Sequence, residues 1–262
     1  EAGIATSMKN ISVAIVAKLK GVPWLLKSEI KPELIVGIGA FKSKTFNERF
    51  IGSSFCFSNN GQFKGFDCHS EADSHMLAGS IEKAVRKYYN ENKHIKRLII
   101  HFYKEMSNDE LKPILATLTG LGFDIPVFIV TVNKTESKEY VVFDENFEGK
   151  IPISGTFVNI GWNHFLLCNN TRYKSSVVSK IDSFPFPVRI KIKCTKEGEL
   201  DNYNTVKELG DQVYQFSRMY WKSVRQQNLP VTIKYPEMVA QIYPYFDDPV
   251  IPPFGLDNLW FL

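Results

Sequence analysis

Three short apolar runs constrain the fold of this chain more than any other feature of its sequence. They lie at residues 34–40 (LIVGIGA), 97–104 (RLIIHFYK) and 126–132 (PVFIVTV). Turn or charge signals bound the runs, which is typical of strands that are buried on both faces of a sheet. The first run contains Gly37 and Gly39, and we expect it to form the central strand.

Helical patterns separate the three runs. Apolar residues recur at helical spacing from Ser70, a suitable N-cap, to Asn92. A second helix is predicted from Ser107 to about Leu121, because Glu110 is placed for a capping box. Helices that cross between buried strands predict an α/β fold, in which helices flank a mixed sheet on both faces.

The remaining predicted elements are short strands and helices. The tripeptide Asn59-Asn60-Gly61 joins strand-like runs at 49–58 and 62–69, which predicts a β-hairpin. Further strands are predicted at 140–143, 155–160, 165–167 and 188–193, and further helices at 11–19, 202–227 and 235–242. The sequence contains no internal repeat or linker, so we predict one domain at 31–262 preceded by an N-terminal extension at 1–30.

Composition narrows the class of protein. With 44% hydrophobic and 13% aromatic residues, the chain suits a globular domain rather than a disordered one. Its net charge of +4 is compatible with a polyanionic partner. No apolar run reaches the roughly 18 residues of a membrane span, and the four cysteines have no paired spacing. We therefore expect reduced thiols, no membrane partner and a cytoplasmic location.

Five motifs follow one another along the chain. They are AKLKGVPW at 17–24, GIG at 37–39, IIHFY at 99–103, WKSVRQQNLPVTIKYPEMVA at 221–240 and the final pair Phe261-Leu262. In this order they resemble the PIWI domain of Argonaute proteins, especially prokaryotic ones. At these places the family has AKLGGxPW, GID, an apolar strand ending in arginine-aspartate, RxxRxxxxPxxxxYAHLVA and a C-terminal aromatic-aliphatic pair. The resemblance covers about residues 13–262 and implies a ribonuclease H-like fold, with residues 1–30 at the end of a MID-like region.

The resemblance also bears on catalysis. PIWI domains that cleave nucleic acid hold two divalent metal ions with four acidic or histidine ligands. The motifs place these ligands at Gly39, Glu71, Tyr103 and Glu237. Gly39 and Tyr103 have no carboxylate, which hard cations need, so we expect no catalytic metal and no cleavage. His101, on the strand that leads to Tyr103, is typical of a core histidine.

Alternative interpretations of the acidic residues stay open. Glu71 also suits a helix N-terminus, where the helix dipole favours an acid, and Glu237 also suits a solvated surface position. Glu105 and Asp109 are substitutes to consider for the missing carboxylates, although both lie beyond the strand end and nothing replaces Gly39. An active guide-directed endonuclease with an unusual metal site is therefore the alternative function.

The resemblance implies a binding site for the 5′ phosphate of a guide strand. Lys18 matches the family lysine on that phosphate, and Lys222 and Arg225 match basic residues on the guide backbone. Leu262 would supply the terminal carboxylate, which acts through a metal ion in the family, so Mg²⁺ at the guide 5′ phosphate is the candidate cofactor. The family's second lysine falls on Ala14, which weakens or alters the expected pocket.

Ordinary structural roles compete with these assignments. Lys18 also suits a plain surface lysine. Lys222 and Arg225 lie three residues apart on one face of the predicted helix, which also suits a solvated face. Tyr220 and Trp221 suit either stacking on a base or core packing, and core packing is favoured.

These motifs predict guide-strand-dependent nucleic-acid binding by a catalytically inactive PIWI domain, in prokaryotic defence against foreign nucleic acid. The predicted partners are guide and target nucleic acid, and an effector protein that would act on the result. Besides the nuclease alternative, a structural remnant that binds a protein and no nucleic acid stays open. The pattern favours neither RNA nor DNA for guide or target.

Overall fold

A computed structural model of the chain describes residues 2–44, 49–70, 74–133, 139–172, 186–223, 227–246, 255 and 258–262. The described helices and strands are, in chain order, α1 Ala2–Lys18, β1 Glu33–Lys42, β2 Arg49–Phe57, β3 Phe63–Ser70, α2 Ser74–Asn92, β4 Arg97–Phe102, α3 Asn108–Gly120, β5 Val127–Asn133, β6 Thr156–Gly161, β7 His164–Cys168, β8 Val188–Cys194, α4 Tyr203–Phe216 and α5 Val231–Ile242. A 3₁₀ turn at Tyr243–Tyr245 follows α5.

The described strands form one eight-stranded sheet in the order β3-β2-β1-β4-β5-β8-β7-β6. β1, β4 and β5 run parallel to one another. The other neighbouring pairs in the sheet are antiparallel. The predicted α/β fold, a ribonuclease H-like mixed sheet flanked by helices, is therefore confirmed.

The sheet separates two apolar cores. α2 and α3 pack on one face with side chains that include Leu34 and Ile38 of β1. α4 and α5 pack on the other face with Ile35. Because helices cover both of its faces, β1 is buried on both sides, as the apolar run at 34–40 predicts.

Two predicted local features are confirmed. The β2–β3 hairpin turns at Asn59-Asn60-Gly61, and Gly61 has a φ of 84°, which favours glycine. α3 begins with the predicted capping box, since the Ser107 hydroxyl accepts the Glu110 N–H and the Glu110 carboxylate accepts the Ser107 N–H at 2.9 Å. Both features depend only on residues that lie within a few positions of one another in the chain.

Other predicted local features are wrong. Ser70 does not cap α2, because it is the last residue of β3 and pairs with Phe50, and α2 begins at Ser74. Residues 140–143 form no strand, since Val141 and Phe143 are exposed and leave no buried face for a strand to fill.

The predicted helix at 202–227 is too long. α4 ends at Phe216, and residues 217–223 form a loop. The Tyr235 hydroxyl accepts the Trp221 N–H at 2.9 Å and donates to the Met219 carbonyl at 3.0 Å. These bonds from a buried tyrosine of α5 satisfy backbone groups that a continued helix would have paired internally.

Two other helices are longer than predicted. α1 begins at Ala2 rather than residue 11, and α5 begins at Val231 rather than Tyr235. No helix among the described residues is long and apolar enough to cross a bilayer. The domain boundary expected at residue 30 stays a prediction.

A buried ion pair joins β1 and β4 to α4. Glu33 is 1% exposed and accepts hydrogen bonds from Arg97 at 2.5 Å and from Gln212 at 3.0 Å. Arg97 also contacts Glu208, which pairs with Lys31 at 2.8 Å. The buried carboxylate of Glu33 therefore has a partner on each oxygen, as a charge removed from water requires.

Candidate functional site

Gly39, the position predicted for the first metal ligand, is covered by the backbone of α5. A Cβ atom at Gly39 would lie 2.6 Å from the Ile233 carbonyl oxygen, 2.9 Å from the Glu237 amide nitrogen and 3.0 Å from Cβ of Pro236. Ordinary carbon contacts begin near 3.4 Å. Packing therefore requires a glycine here, whatever the chemistry of the site.

The close approach of α5 extends to two further glycines. The Thr232 carbonyl lies against Gly37, and the Pro236 backbone lies against Gly52 of β2, which pairs with Gly39. Pro236 has no N–H to donate to the Thr232 carbonyl in the usual helical bond. That carbonyl faces the strand instead, and α5 rests directly on the central strands.

Three of the four predicted ligand positions lie together. Gly39 and Tyr103 directly follow the last residue pair of the β1–β4 ladder, and Glu237 lies beside Gly39. The Glu237 side chain is half-buried. Glu71 lies outside the described residues. Asp109 lies in the first turn of α3, where an acid suits the helix dipole.

The neighbouring side chains do not supply the missing carboxylates. Tyr103 is half-buried and packs against both apolar cores. Glu105 is held by Lys191 and, at 3.6 Å, by Lys193. The hydrogen bond from Lys191 lowers the pKa of Glu105, despite an opposing effect of burial. Across the described part of the chain, no three His, Cys, Asp or Glu side chains are grouped to hold a metal ion.

His101 is a core histidine, as predicted. It is fully buried, and its Nδ1 lies 2.7 Å from the Thr232 hydroxyl of α5. Burial lowers the pKa of His101 to about 3, so the imidazole is neutral near pH 7. The side chain joins β4 to α5 within the core.

A cavity of about 380 Å³ brings together three of the four predicted binding residues. These are Lys18 at the end of α1, Lys222 in the loop after α4, and Leu262. The remaining lining residues all belong to α1 and are Ser7, Asn10, Ile11, Ala14 and Ile15. Both lysines are exposed to solvent, and Leu262 is buried. The fourth predicted binding residue, Arg225, lies outside the described residues.

Two contacts hold the Lys222 loop close to the segment that follows α1. The Trp24 indole N–H donates to the Arg218 carbonyl at 3.1 Å, and its ring meets the Trp221 ring edge-on at 6.4 Å. Tyr220 and Trp221 are both buried, so the core-packing interpretation is confirmed and neither ring is available to a base. Lys222 lies in a turn rather than on the predicted helix, because α4 has already ended.

The sequence analysis did not predict the pairing of Glu105 with the lysines of β8. The available signal was the alternation VRIKIK at 188–193, which places the basic residues on one face of a strand. The pattern predicts the strand correctly. It contains no information on which carboxylate the lysines meet, because Glu105 lies far away in the chain.

Comparison with known proteins identifies similar chains. The sequence model of the Piwi domain matches residues 4–247. A Piwi protein of Archaeoglobus fulgidus is 26% identical over 254 residues, which cover 89% of this chain and 58% of that protein. A protein argonaute of Cereibacter sphaeroides is 24% identical over 264 residues, which cover 90% of this chain and 33% of that protein. The chain thus spans less than two thirds of the length of either relative.

Proposed function

Because this chain belongs to the Piwi domain family, we propose that it binds the 5′ phosphate of a guide strand, presents that guide to a target nucleic acid and does not cleave the target. The single observation that carries this proposal is the cavity shared by Lys18, Lys222 and Leu262. Residues from three separate parts of the chain converge there, and two of them are cations.

The chemistry of the cavity suits a phosphate. The ammonium groups of Lys18 and Lys222 attract phosphate oxygens and do not read the base sequence. In guide-dependent recognition, the guide itself reads the target sequence by base pairing. Ser7 and Asn10 add polar groups to the wall. Ala14 lines the cavity where the family has its second lysine, so we expect a weaker pocket than one with a further cation there.

A divalent metal ion fits this donor set. Mg²⁺ keeps several waters and binds one or two carboxylates together with phosphate oxygens. The Leu262 carboxylate beside a bound phosphate would provide such a site, and the bound ion would offset the repulsion between the two anions. Lys18 and Lys222, which line the same cavity, would neutralise further charge of the phosphate.

The surroundings of the predicted metal ligands support binding without cleavage. A two-metal site needs carboxylates that bridge the ions. Gly39 has no side chain and the backbone of α5 occupies the space beside it, while Tyr103 contributes a packed phenol. Glu105, the carboxylate next in line, is engaged with two lysines.

Fluorescence anisotropy with labelled guides tests the binding proposal. We expect the chain to prefer a 5′-phosphorylated guide over a 5′-hydroxyl guide, and Lys18→Gln or Lys222→Gln to weaken binding of the phosphorylated guide roughly tenfold or more, because each removes a charge-assisted hydrogen bond. Lys9→Gln is the matched control, since Lys9 is an exposed lysine of α1 outside the cavity. Equal affinity of the wild type for both guides would overturn the proposal.

A cleavage assay tests the alternative of an active endonuclease. The wild type is incubated with guide, complementary target and Mg²⁺ or Mn²⁺. We expect intact target. A product cut at one position opposite the guide would establish the nuclease alternative and refute the inactive domain.

The biological role that we propose is recognition of foreign nucleic acid in the cytoplasm of a prokaryote. Both curated relatives come from prokaryotic organisms. A domain that binds a target without cutting it needs a separate effector protein to act on the result. Affinity purification from the native organism, with and without a matching foreign plasmid, should recover such a protein only with the plasmid. Recovery of the same proteins in both cases would argue against the role.

A further inference from the structure

A separate cavity, which we term the hairpin cavity, lies between the β6–β7 hairpin and the start of α4. Its volume of about 390 Å³ is within the range of roughly 300–1,000 Å³ that is typical of small-molecule sites. Two strongly exposed aromatic side chains line it, since Trp162 is 80% exposed and Tyr203 is 63% exposed. Phe165 also lines the cavity but is buried, so it lies at the base.

The turn of the hairpin does not require a tryptophan at its tip. The Gly161 N–H donates to the side-chain carbonyl of Asn159 at 3.0 Å, and Asn163 adopts the positive φ of 53° that suits asparagine in turns. The Asn163 carbonyl accepts the Ile192 N–H at 3.0 Å, which ties the turn to β8. Trp162 takes part in none of these interactions, and its exposed ring forgoes the stabilisation of burial. A tryptophan here therefore suits a ligand better than it suits the turn.

Packing holds the two walls of the hairpin cavity in place. Phe157 of β6 stacks on Phe165 of β7 with ring centroids 4.5 Å apart. A Cβ atom at Gly210 of α4 would lie 2.7 Å from the Phe157 ring, so the helix and the hairpin are in close contact. Val206 of α4 is buried and also lines the cavity. The cavity is therefore preformed, which lowers the cost of ordering its walls around a ligand.

The lining of the hairpin cavity has a negative charge. Among the described residues that line it, Asp201 alone is charged, and it is exposed. The nearby start of α4 contributes about half a positive charge through the helix dipole, so the full charge of Asp201 exceeds it. The chain as a whole carries a net charge of +4. This cavity therefore attracts a cation on a protein whose average surface repels one.

We propose that the hairpin cavity binds a small organic cation that carries a quaternary ammonium group. The faces of tryptophan and tyrosine rings attract cations, and aromatic cages of this kind recognise quaternary ammonium ligands. The methyl groups of such a cation would contact Phe165 and Val206, and its charge would lie near Asp201. The inference goes beyond the proposed function and uses no residue of the 5′-phosphate cavity.

Two other classes of ligand fit the hairpin cavity less well. A hard metal ion needs several oxygen ligands, whereas this lining has one carboxylate among aromatic and aliphatic side chains. A nucleobase also stacks on aromatic rings, but the phosphate of a nucleotide would meet the charge of Asp201 with no lysine or arginine among the described lining residues to offset it. A cation with apolar substituents uses both the rings and the carboxylate.

Isothermal titration calorimetry of the full chain with choline, at constant ionic strength, tests the inference. The matched ligand is the uncharged isostere of choline, in which a quaternary carbon replaces the nitrogen. We expect choline to bind about fivefold more tightly or better, because only the charged ligand is attracted by the ring faces and by Asp201. Equal affinity for the two ligands, no measurable binding of choline, or tighter binding of adenosine than of choline would overturn the inference.

Substitutions in the lining identify the groups that bind. We expect Trp162→Ala and Tyr203→Ala each to weaken choline binding about fivefold or more, and Asp201→Asn to weaken it by up to about fivefold. All three side chains are exposed, so these variants should fold. Tyr245→Ala is the matched control, since Tyr245 is 72% exposed but lies outside the cavity. Wild-type affinity in Trp162→Ala, or an equal loss in Tyr245→Ala, would contradict the inference.

Tryptophan fluorescence gives a second readout. Of the four tryptophans, Trp162 is the most exposed, and Trp221 is buried. Choline should therefore shift the emission of the wild type and leave that of Trp162→Ala unchanged; a shift that persists in the variant would place the ligand elsewhere and refute the inference. The two proposals can fail separately, because the preference for a 5′-phosphorylated guide reports on Lys18 and Lys222 and choline binding reports on the hairpin cavity.

Discussion

Replacing Gly39 with aspartate should destabilise the protein rather than create an active nuclease. The new Cβ would lie 2.6 Å from the Ile233 carbonyl and 2.9 Å from the Glu237 N–H, both of which belong to the backbone of α5. Neither atom can move alone, so the whole helix would have to shift by nearly an ångström. Overpacking of this kind costs about 1–3 kcal/mol.

The carboxylate adds a second cost, because it would enter a space enclosed by backbone and apolar side chains. Burial of a charge without a partner typically costs about 3–5 kcal/mol. We therefore expect Gly39→Ala to lower the free energy of unfolding by about 1–3 kcal/mol, and Gly39→Asp to lower it further. Urea denaturation monitored by circular dichroism gives both values.

Gly79→Ala is the control for the glycine substitutions. Gly79 lies within α2, and a Cβ there would meet no atom within 4 Å. Because alanine favours a helix over glycine, we expect this variant to gain about 0.5–1 kcal/mol of stability. If Gly39→Asp instead unfolds at the wild-type urea concentration, or cuts a guided target in the presence of Mn²⁺, the packing argument is refuted.

Two further predictions concern buried polar groups. Arg97→Met would leave the buried Glu33 carboxylate without its cation and should cost about 3–5 kcal/mol of unfolding free energy. Arg86→Met, which breaks an exposed pair with Glu82, should cost less than about 1 kcal/mol in the same urea assay. Similar losses in the two variants would disprove the role of burial. Because the pKa of His101 is about 3 in the folded chain and near 6.5 when unfolded, only the unfolded chain takes up this proton between those values. Its contribution to stability is complete above about pH 6.5 and falls by about 2 kcal/mol on lowering the pH to 5, and urea titrations at pH 7 and 5 should show a smaller fall in His101→Gln.

The elements that the sequence predicts well are those that residues close together in the chain determine. The capping box of α3 needs only Ser107 and Glu110, and the hairpin needs only its Asn-Gly turn. The buried strands could be predicted because a continuous apolar run has few other solutions at that length. In each case the responsible atoms are within a few residues of one another.

The features that escaped prediction depend on partners far away in the chain. α4 ends early because Tyr235 satisfies the backbone at Met219 and Trp221. The resemblance could flag Gly39 as a missing ligand, but only the structure reveals that α5 fills its place. The same holds for the candidate site, since Lys18 and Lys222 could be named from motifs while their shared cavity could not.

The contact between α5 and the central strands also has a consequence for how the chain folds during synthesis. β1 spans residues 33–42 and is made well before α5, which spans residues 231–242. Until then, the glycine-lined face of β1 and β2 has no helix to cover it. Contacts of such long sequence separation slow folding, and incomplete chains expose apolar surface while they wait. A strand that is buried on both faces is thus made long before one of the helices that enclose it.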